Sequence, residues 1–444
     1  MVAWTDRPYG HVMKPLKPLR ELLLVSSISV ALVAGGITTA VAHDRGSEDR
    51  VSGKTATAAA EDTHPTHPRG QLVSVDHLRT LSASQIAAEL KSDDGGAWDT
   101  GAVRYGVDTY RVVYRTVDPS GRPTTASGLV AVPRGGDRHL RTVSFTHGTE
   151  LFKADVASVS DEVWSQAPAL TYASAGFAAV LPDYLGLGLG PGPHPWMDVP
   201  SETTASLDML RAAHSLAPAI GRHLRPDVFA TGFSQGASAA LGLARALQDD
   251  ADPRFRLRAV APVSGAYAFR DAALPSLLAG ETDPKAGVIY TALTLVAFNR
   301  LHHVYDDPAE VFRKPYARTI ESLLDGTHPG SEVVAGTPAT VDGLLTRPGR
   351  ALLARPTGGL AEALRQTDGV CADWTPQVPI RLYYAAGDEQ AVTANSEHCH
   401  ATFRAHGVHA PLTALGTPTY AGSRHLGSHQ AGTAAVVRWF GSLG

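Results

Sequence analysis

The chain has 444 residues, 43% hydrophobic and 18% charged, a balance that suits one large globular domain or two ordinary ones. A formal net charge of −4 over that length is nearly neutral, so nothing points to nucleic acid or an anionic membrane surface as partner. The 43 Gly and 30 Pro imply many turns but follow no period, which excludes a collagen-like or low-complexity chain.

Lys14, Lys17 and Arg20 precede an uncharged, largely apolar run from Leu22 to Ala42 that closes on Ala40-Val41-Ala42. Small residues there are what a signal peptidase reads, so a secretory signal cleaved after Ala42 is expected, with a single membrane anchor as the alternative. Residues 43–72, rich in Thr, Ala, His, Asp and Pro, lack periodicity and read as a flexible tether, with order expected from Val73 onward. In an exported protein the two cysteines, Cys371 and Cys399, are expected to form a disulfide. His398 and His400 flank Cys399, but no second ligand cluster has zinc-like spacing, so no metal is expected.

Residues 110–117 and 126–132 read as strands joined by the Pro119-Ser120-Gly121 turn, an antiparallel pair. A short strand at 142–145 runs into His147-Gly148-Thr149, a helix follows at 161–175, and the continuous apolar run 177–181 reads as a buried parallel strand. A helix at 202–215, a strand at 228–231, a helix at 237–247 and a strand at 259–263 continue the alternation. Strands at 380–385 and 411–415 and a helix at 430–440 close it. Strands alternating with helices predict an α/β protein with a mostly parallel sheet and helices on both faces. Residues 265–379 break the rhythm. They contain few strand-like runs, and 286–301 is apolar with helical spacing, so this interval reads as a helical insertion over the sheet.

The chemistry centres on Gly232-Phe233-Ser234-Gln235-Gly236, between an apolar strand and an Ala-rich helix. A sharp strand-to-helix turn lifts a serine clear of its own backbone, and small residues on either side permit it, so Ser234 is the expected nucleophile. His147-Gly148-Thr149, at a strand end, would supply oxyanion-holding amides together with that of Gln235. Asp388, at the end of strand 380–385, is the preferred acid, ahead of Glu389 and Asp373. His425 and His429 both precede or begin the last helix; His425, read as a loop residue free to swing toward Ser234, is preferred as the base. The order Ser234, Asp388, His425 is the one used by the strand-to-helix serine hydrolases.

These pieces, together with Pro182-Asp183-Tyr184-Leu185-Gly186-Leu187-Gly188, His194-Pro195 and Gly387-Asp388, resemble the α/β-hydrolase superfamily. Within it they resemble the secretory lipases similar to Candida lipase A and their bacterial relatives, over roughly residues 75–444. The resemblance implies a cap over the active site, lipase or carboxylesterase activity on a small-molecule or lipid ester, no cofactor, and a pocket shaped by Asp183, Tyr184 and Phe233. A secreted serine peptidase or an acyltransferase would share the fold and triad, and a non-catalytic binding module could keep the fold. Acyl-chain length, contact with a lipid interface and oligomeric state are left open.

Overall fold

The computed structural model describes residues 68–92 and 96–444. The expected signal segment and most of the tether lie outside them. A nine-stranded sheet has the order β1-β2-β3-β5-β4-β6-β7-β8-β9. Its strands are β1 (Leu72–Leu81), β2 (Gly106–Val117), β3 (Pro123–Arg134), β4 (His139–Thr146), β5 (Ala178–Pro182), β6 (His223–Phe233), β7 (Arg256–Val263), β8 (Leu382–Tyr384) and β9 (Leu412–Ala414). β1, β2, β3 and β5 pair antiparallel, and everything from β5 through β4 to β9 is parallel.

The parallel strands are buried on both faces. Ala179 and Leu181 of β5 enter one core, while Ala178 and Val180 enter the other. The first core is closed by α1 (Ala83–Leu90), α2 (Val163–Ser174) and the last helix, and the second by α3 (Val199–Leu216) and α4 (Gln235–Gln248). This two-sided burial is why these strands read as unbroken apolar runs.

Between β7 and β8 the chain forms α5 (Leu274–Ala279), α6 (Pro284–His302), α7 (Pro308–Val311), α8 (Ile320–Leu323), α9 (Gly330–Ala335), α10 (Val341–Leu344), α11 (Arg347–Ala354) and α12 (Gly358–Ala372). α6 is buried over most of its length, from Ala286 to Phe298, which explains its apolar look on all sides. α13 (Ala394–Ala405) and α14 (Arg424–Ser442) complete the fold. The Cys371–Cys399 disulfide, with Cα atoms 5.4 Å apart, joins α12 to α13.

Three features differ from the sequence reading. Residues 68–72 are tied down rather than loose: Gly70 N–H donates to Arg115 O (2.8 Å), and Arg69 pairs with the buried Asp208 (3.0 Å). β1 is an edge strand whose residues 73–77 are exposed, so it carries no apolar alternation to read. The final helix begins at Arg424, six residues before the expected start, because Ser423 caps it by accepting from Leu426 N–H (3.1 Å).

Candidate active site

β6 passes into α4 through Ser234, whose backbone sits at φ 56°, ψ −123°. That left-handed φ is strained for a residue with a side chain, and it turns Ser234 out at the tip of the bend. The flanking glycines have steric reasons. A Cβ on Gly232 would lie 2.1 Å from Gly236 O, and one on Gly236 would lie 2.0 Å from Thr146 O. Ser234 N–H donates to Val263 O (3.0 Å), pinning the turn to the neighbouring strand.

The structure brings Ser234, His425 and Asp388 into one hydrogen-bonded chain. Ser234 Oγ lies 2.9 Å from His425 Nε2, and His425 Nδ1–H donates to Asp388 Oδ2 at 2.8 Å. His425 is fully buried, and Ser234 and Asp388 are 7% and 5% exposed. Asp388 Oδ1 accepts from the amides of Gln390 and Ala391 (both 2.9 Å), so both carboxylate oxygens are engaged. His425 is not a loop residue: it is the second residue of α14, and its position is fixed by helix packing. Ser428 Oγ donates to the carbonyl of His425 (2.7 Å) and bonds Ser264 Oγ (2.7 Å).

The runner-up acids have other partners. Glu389 accepts from Ser423 Oγ and from Arg424 N–H (3.0 Å), closing the N-terminus of α14. Asp373 lies 3.5 Å from Arg245 at the end of α12. His429, one turn beyond His425, is sandwiched between Phe145 and Phe233, its ring centroid 5.6 and 4.3 Å from theirs. Neither of its ring nitrogens has a hydrogen-bond partner, and burial holds its pKa well below the ordinary histidine value.

The segment after β4 passes close beside Ser234. A Cβ on Gly148 would lie 3.4 Å from Ser234 Cβ and 3.1 Å from the Phe233 ring, so close approach explains this glycine. His147 Nδ1–H donates to Gly148 O (2.7 Å). In a trans peptide the N–H points opposite the carbonyl, so the Thr149 amide is directed away from the His147 ring. Thr149 lines the same cavity as Ser234 and Gln235. Burial lowers the pKa of His147 to about 4, which keeps its ring neutral at neutral pH.

The three residues expected to shape the pocket stand behind it. Tyr184 is buried at φ 68°, and its hydroxyl donates to His147 O (3.0 Å). Asp183 is buried beneath the loop, where it accepts from Ser127 Oγ (2.6 Å) and Ser158 Oγ. Phe233 packs on the rings of His425 and His429. The cavity beside Ser234 is walled instead by Trp196, Met197, Phe269, Leu277 and Tyr290, with Gln390 at its edge. Phe269, Leu277 and Tyr290 come from the insertion, where side-chain packing leaves no sequence motif.

Sequence reading also missed a buried polar cluster under Gln235. Gln235 Nε2 donates to Glu202 Oε1 (2.6 Å) and to His194 Nε2 (2.8 Å), while His194 Nδ1–H donates to Leu185 O (2.9 Å). Burial pushes the Glu202 carboxyl up to about 8 and the His194 ring down to about 3, so both are neutral at neutral pH. One signal was available: Glu202 shares the buried stripe of α3 with Ala205, Ser206, Met209 and Ala213, where a carboxylate is out of place. Among the described residues, no cluster of three or more His, Cys, Asp or Glu side chains could hold a metal ion.

No protein-family model and no curated protein matches the chain. Solved structures do. A Legionella pneumophila protein provisionally assigned as a hydrolase superposes with a TM-score of 0.75 at 24% identity, covering 84% of this chain and 98% of that one. The rice cell wall degrading esterase LipA from Xanthomonas oryzae gives 0.70 at 25% identity, with 85% and 97% covered. Candida antarctica lipase A in its closed state gives 0.55 at 16% identity, with 79% and 77% covered. The fold is that of the α/β-hydrolases, and it resembles the lipase A-like branch.

Proposed function

We propose that this chain is a serine hydrolase of carboxylic esters, a lipase or carboxylesterase working through an acyl-enzyme on Ser234. The observation that carries the reading is the Ser234–His425–Asp388 chain, at 2.9 and 2.8 Å, on a strained strand-to-helix turn. His425 Nε2 takes the Ser234 proton as Oγ attacks the ester carbonyl, and Asp388 steadies the imidazolium that forms. The amides of Gln235 and Thr149 hold the tetrahedral oxyanion, helped by the positive N-terminus of α4. His425 then returns the proton to the leaving alcohol, and water repeats the sequence to free the acid. These steps need no cofactor. The likeness to an esterase and a lipase supports an ester as substrate.

The test is hydrolysis of chromogenic esters from acetyl to palmitoyl by the mature protein and by Ser234→Ala. Wild-type cleavage that is lost in a folded variant is expected. Retained turnover in Ser234→Ala, or a wild type inert on every ester, would sink the reading.

We also read the chain as exported, from its basic and apolar N-terminal run and from a buried disulfide that suits an oxidising compartment. N-terminal sequencing of the protein recovered from an expressing host's medium should begin at His43. Retention inside the cell with the first residues intact would refute export.

A further inference from the structure

Two separate cavities lie against the insertion, and Trp196 borders both. The first holds Ser234. The second is walled mainly by Leu151, Leu187, Leu293, Val296, Ala297 and Leu324. Thr149 faces the first cavity and Glu150 the second. Gln235 faces the first and His194 the second, and these two side chains are bonded to each other at 2.8 Å. The partition is therefore the Trp196 indole, backed by the Gln235–His194 pair.

The indole is held by one hydrogen bond and by the rings around it. Its Nε1–H donates to Thr149 Oγ1 (2.9 Å), its ring stacks near-parallel to Tyr290 (6.2 Å, 11°), and Phe269 meets it edge-on (5.8 Å, 81°). Trp196 is 3% exposed. With Phe298 as a third aromatic neighbour (6.3 Å, 35°), a side chain so held does not rotate aside cheaply, because swinging out would strand its N–H and open a void. The second cavity suits an apolar tail over most of its wall. Its histidine is neutral at neutral pH, burial holds the Glu150 carboxyl up to about 8, and Arg300 spends its guanidinium on Leu324 O (3.1 Å) and Glu321 O (2.9 Å).

We propose that Trp196 is the specificity-determining residue of this site: it ends the acyl pocket at the first cavity and makes the enzyme select esters of short acids. The proposal rests on the ester-hydrolase reading. Removing the indole joins the two cavities and admits a longer chain without altering the triad.

The experiment compares kcat/KM for p-nitrophenyl acetate, butyrate, octanoate and decanoate. The full mature chain is assayed as wild type, Trp196→Ala, Trp196→Leu, Trp196→Phe and the double variant Trp196→Ala with Ala297→Phe. Wild type is expected to lose at least about tenfold between butyrate and octanoate, the scale of a misfit methylene in an apolar pocket. Trp196→Ala and Trp196→Leu should raise the octanoate-to-butyrate ratio by about tenfold or more. Trp196→Phe, which keeps the wall but not the N–H, should keep the short-chain profile. Refilling the second cavity at Ala297 should restore it in the double variant. A wild type equally fast on octanoate, or a Trp196→Ala profile identical to wild type, overturns the proposal. Inactivation of the wild type by alkyl fluorophosphonates of increasing length reads the same limit without any variant. It also separates the two claims. Size-limited labelling of Ser234 with no ester turnover would refute the ester reading alone, whereas labelling indifferent to alkyl length would refute the role of Trp196 alone.

Discussion

The C-terminal edge of the sheet and the helical insertion that covers it wall the same cavity in different ways. The sheet edge holds its side chains by directional bonds: both carboxylate oxygens of Asp388 are taken, both ring nitrogens of His425 are engaged, and Gln235 is clamped from below. The insertion contributes rings and aliphatic chains, among them Phe269, Leu277 and Tyr290, held mostly by burial. Hydrogen bonds fix atoms to within tenths of an ångström, as proton transfer requires, whereas non-directional packing fixes only volume and shape. On the proposed function, the reaction belongs to the sheet edge and the choice of substrate to the apolar wall that Trp196 and the insertion form.

The contrast breaks most visibly if one residue from each wall is removed. Asp388→Ala should lower kcat by about 10⁴-fold, because the imidazolium loses its partner and the ring its tautomer. Phe269→Ala should instead cost about 3 kcal/mol of stability through the cavity it leaves, with kcat for a short ester changed far less. Denaturant unfolding beside steady-state kinetics separates the two, and a Phe269→Ala loss of kcat rivalling that of Asp388→Ala would erase the distinction.

A smaller effect sharpens it. Glu202 and Glu150 have pKa values raised by burial to about 8, so between pH 6.5 and 8 they stay protonated in the native chain while the unfolded chain ionises them. The native state then binds more protons, and stability falls as pH rises through that window, by up to about 1 kcal/mol per pH unit for each group. The buried His147, His194 and His429, with pKa values pushed down, act on the acid side, where stability falls as pH drops below about 6.5. Glu202→Gln should therefore flatten the loss between pH 6.5 and 8, and between about 4.5 and 6.5, where the carboxyl opposes the histidines, it should steepen the rise of stability with pH. An unaltered slope above pH 6.5 would mean that Glu202 is already ionised in the native state.

The parts of the site visible in the sequence are those where the backbone itself is constrained. Gly232 and Gly236 stand where a Cβ would strike neighbouring backbone oxygen atoms, and Gly148 where one would press on Ser234 and Phe233. Such positions tolerate few residue types, so they leave a mark. Ser234, His425 and Asp388 were candidates because each lies beside a strand end or a helix start that periodicity reveals. Choosing between His425 and His429 needed more. They are four residues apart on one helix, and only the packing of α14 sends the first to Ser234 and the second between Phe145 and Phe233. Asp183, Tyr184 and Phe233 lie near the site in sequence but behind it in space, where they support the loop rather than meet the cavity.

The sequence by itself determined the α/β class, the alternation of strands and helices from residue 107 onward, the turn that bears Ser234, and the pairing of the two cysteines. Each of these is a local consequence of periodicity, turn sterics or residue count. Only the tertiary structure decided that residues 72–81 belong to the sheet, that Glu389 closes the start of the final helix, that Glu202 and His194 clamp Gln235, and that Trp196 borders two cavities. Those outcomes depend on which side chains distant in sequence meet, and on how much water they exclude. Chain-local patterns do not encode that information.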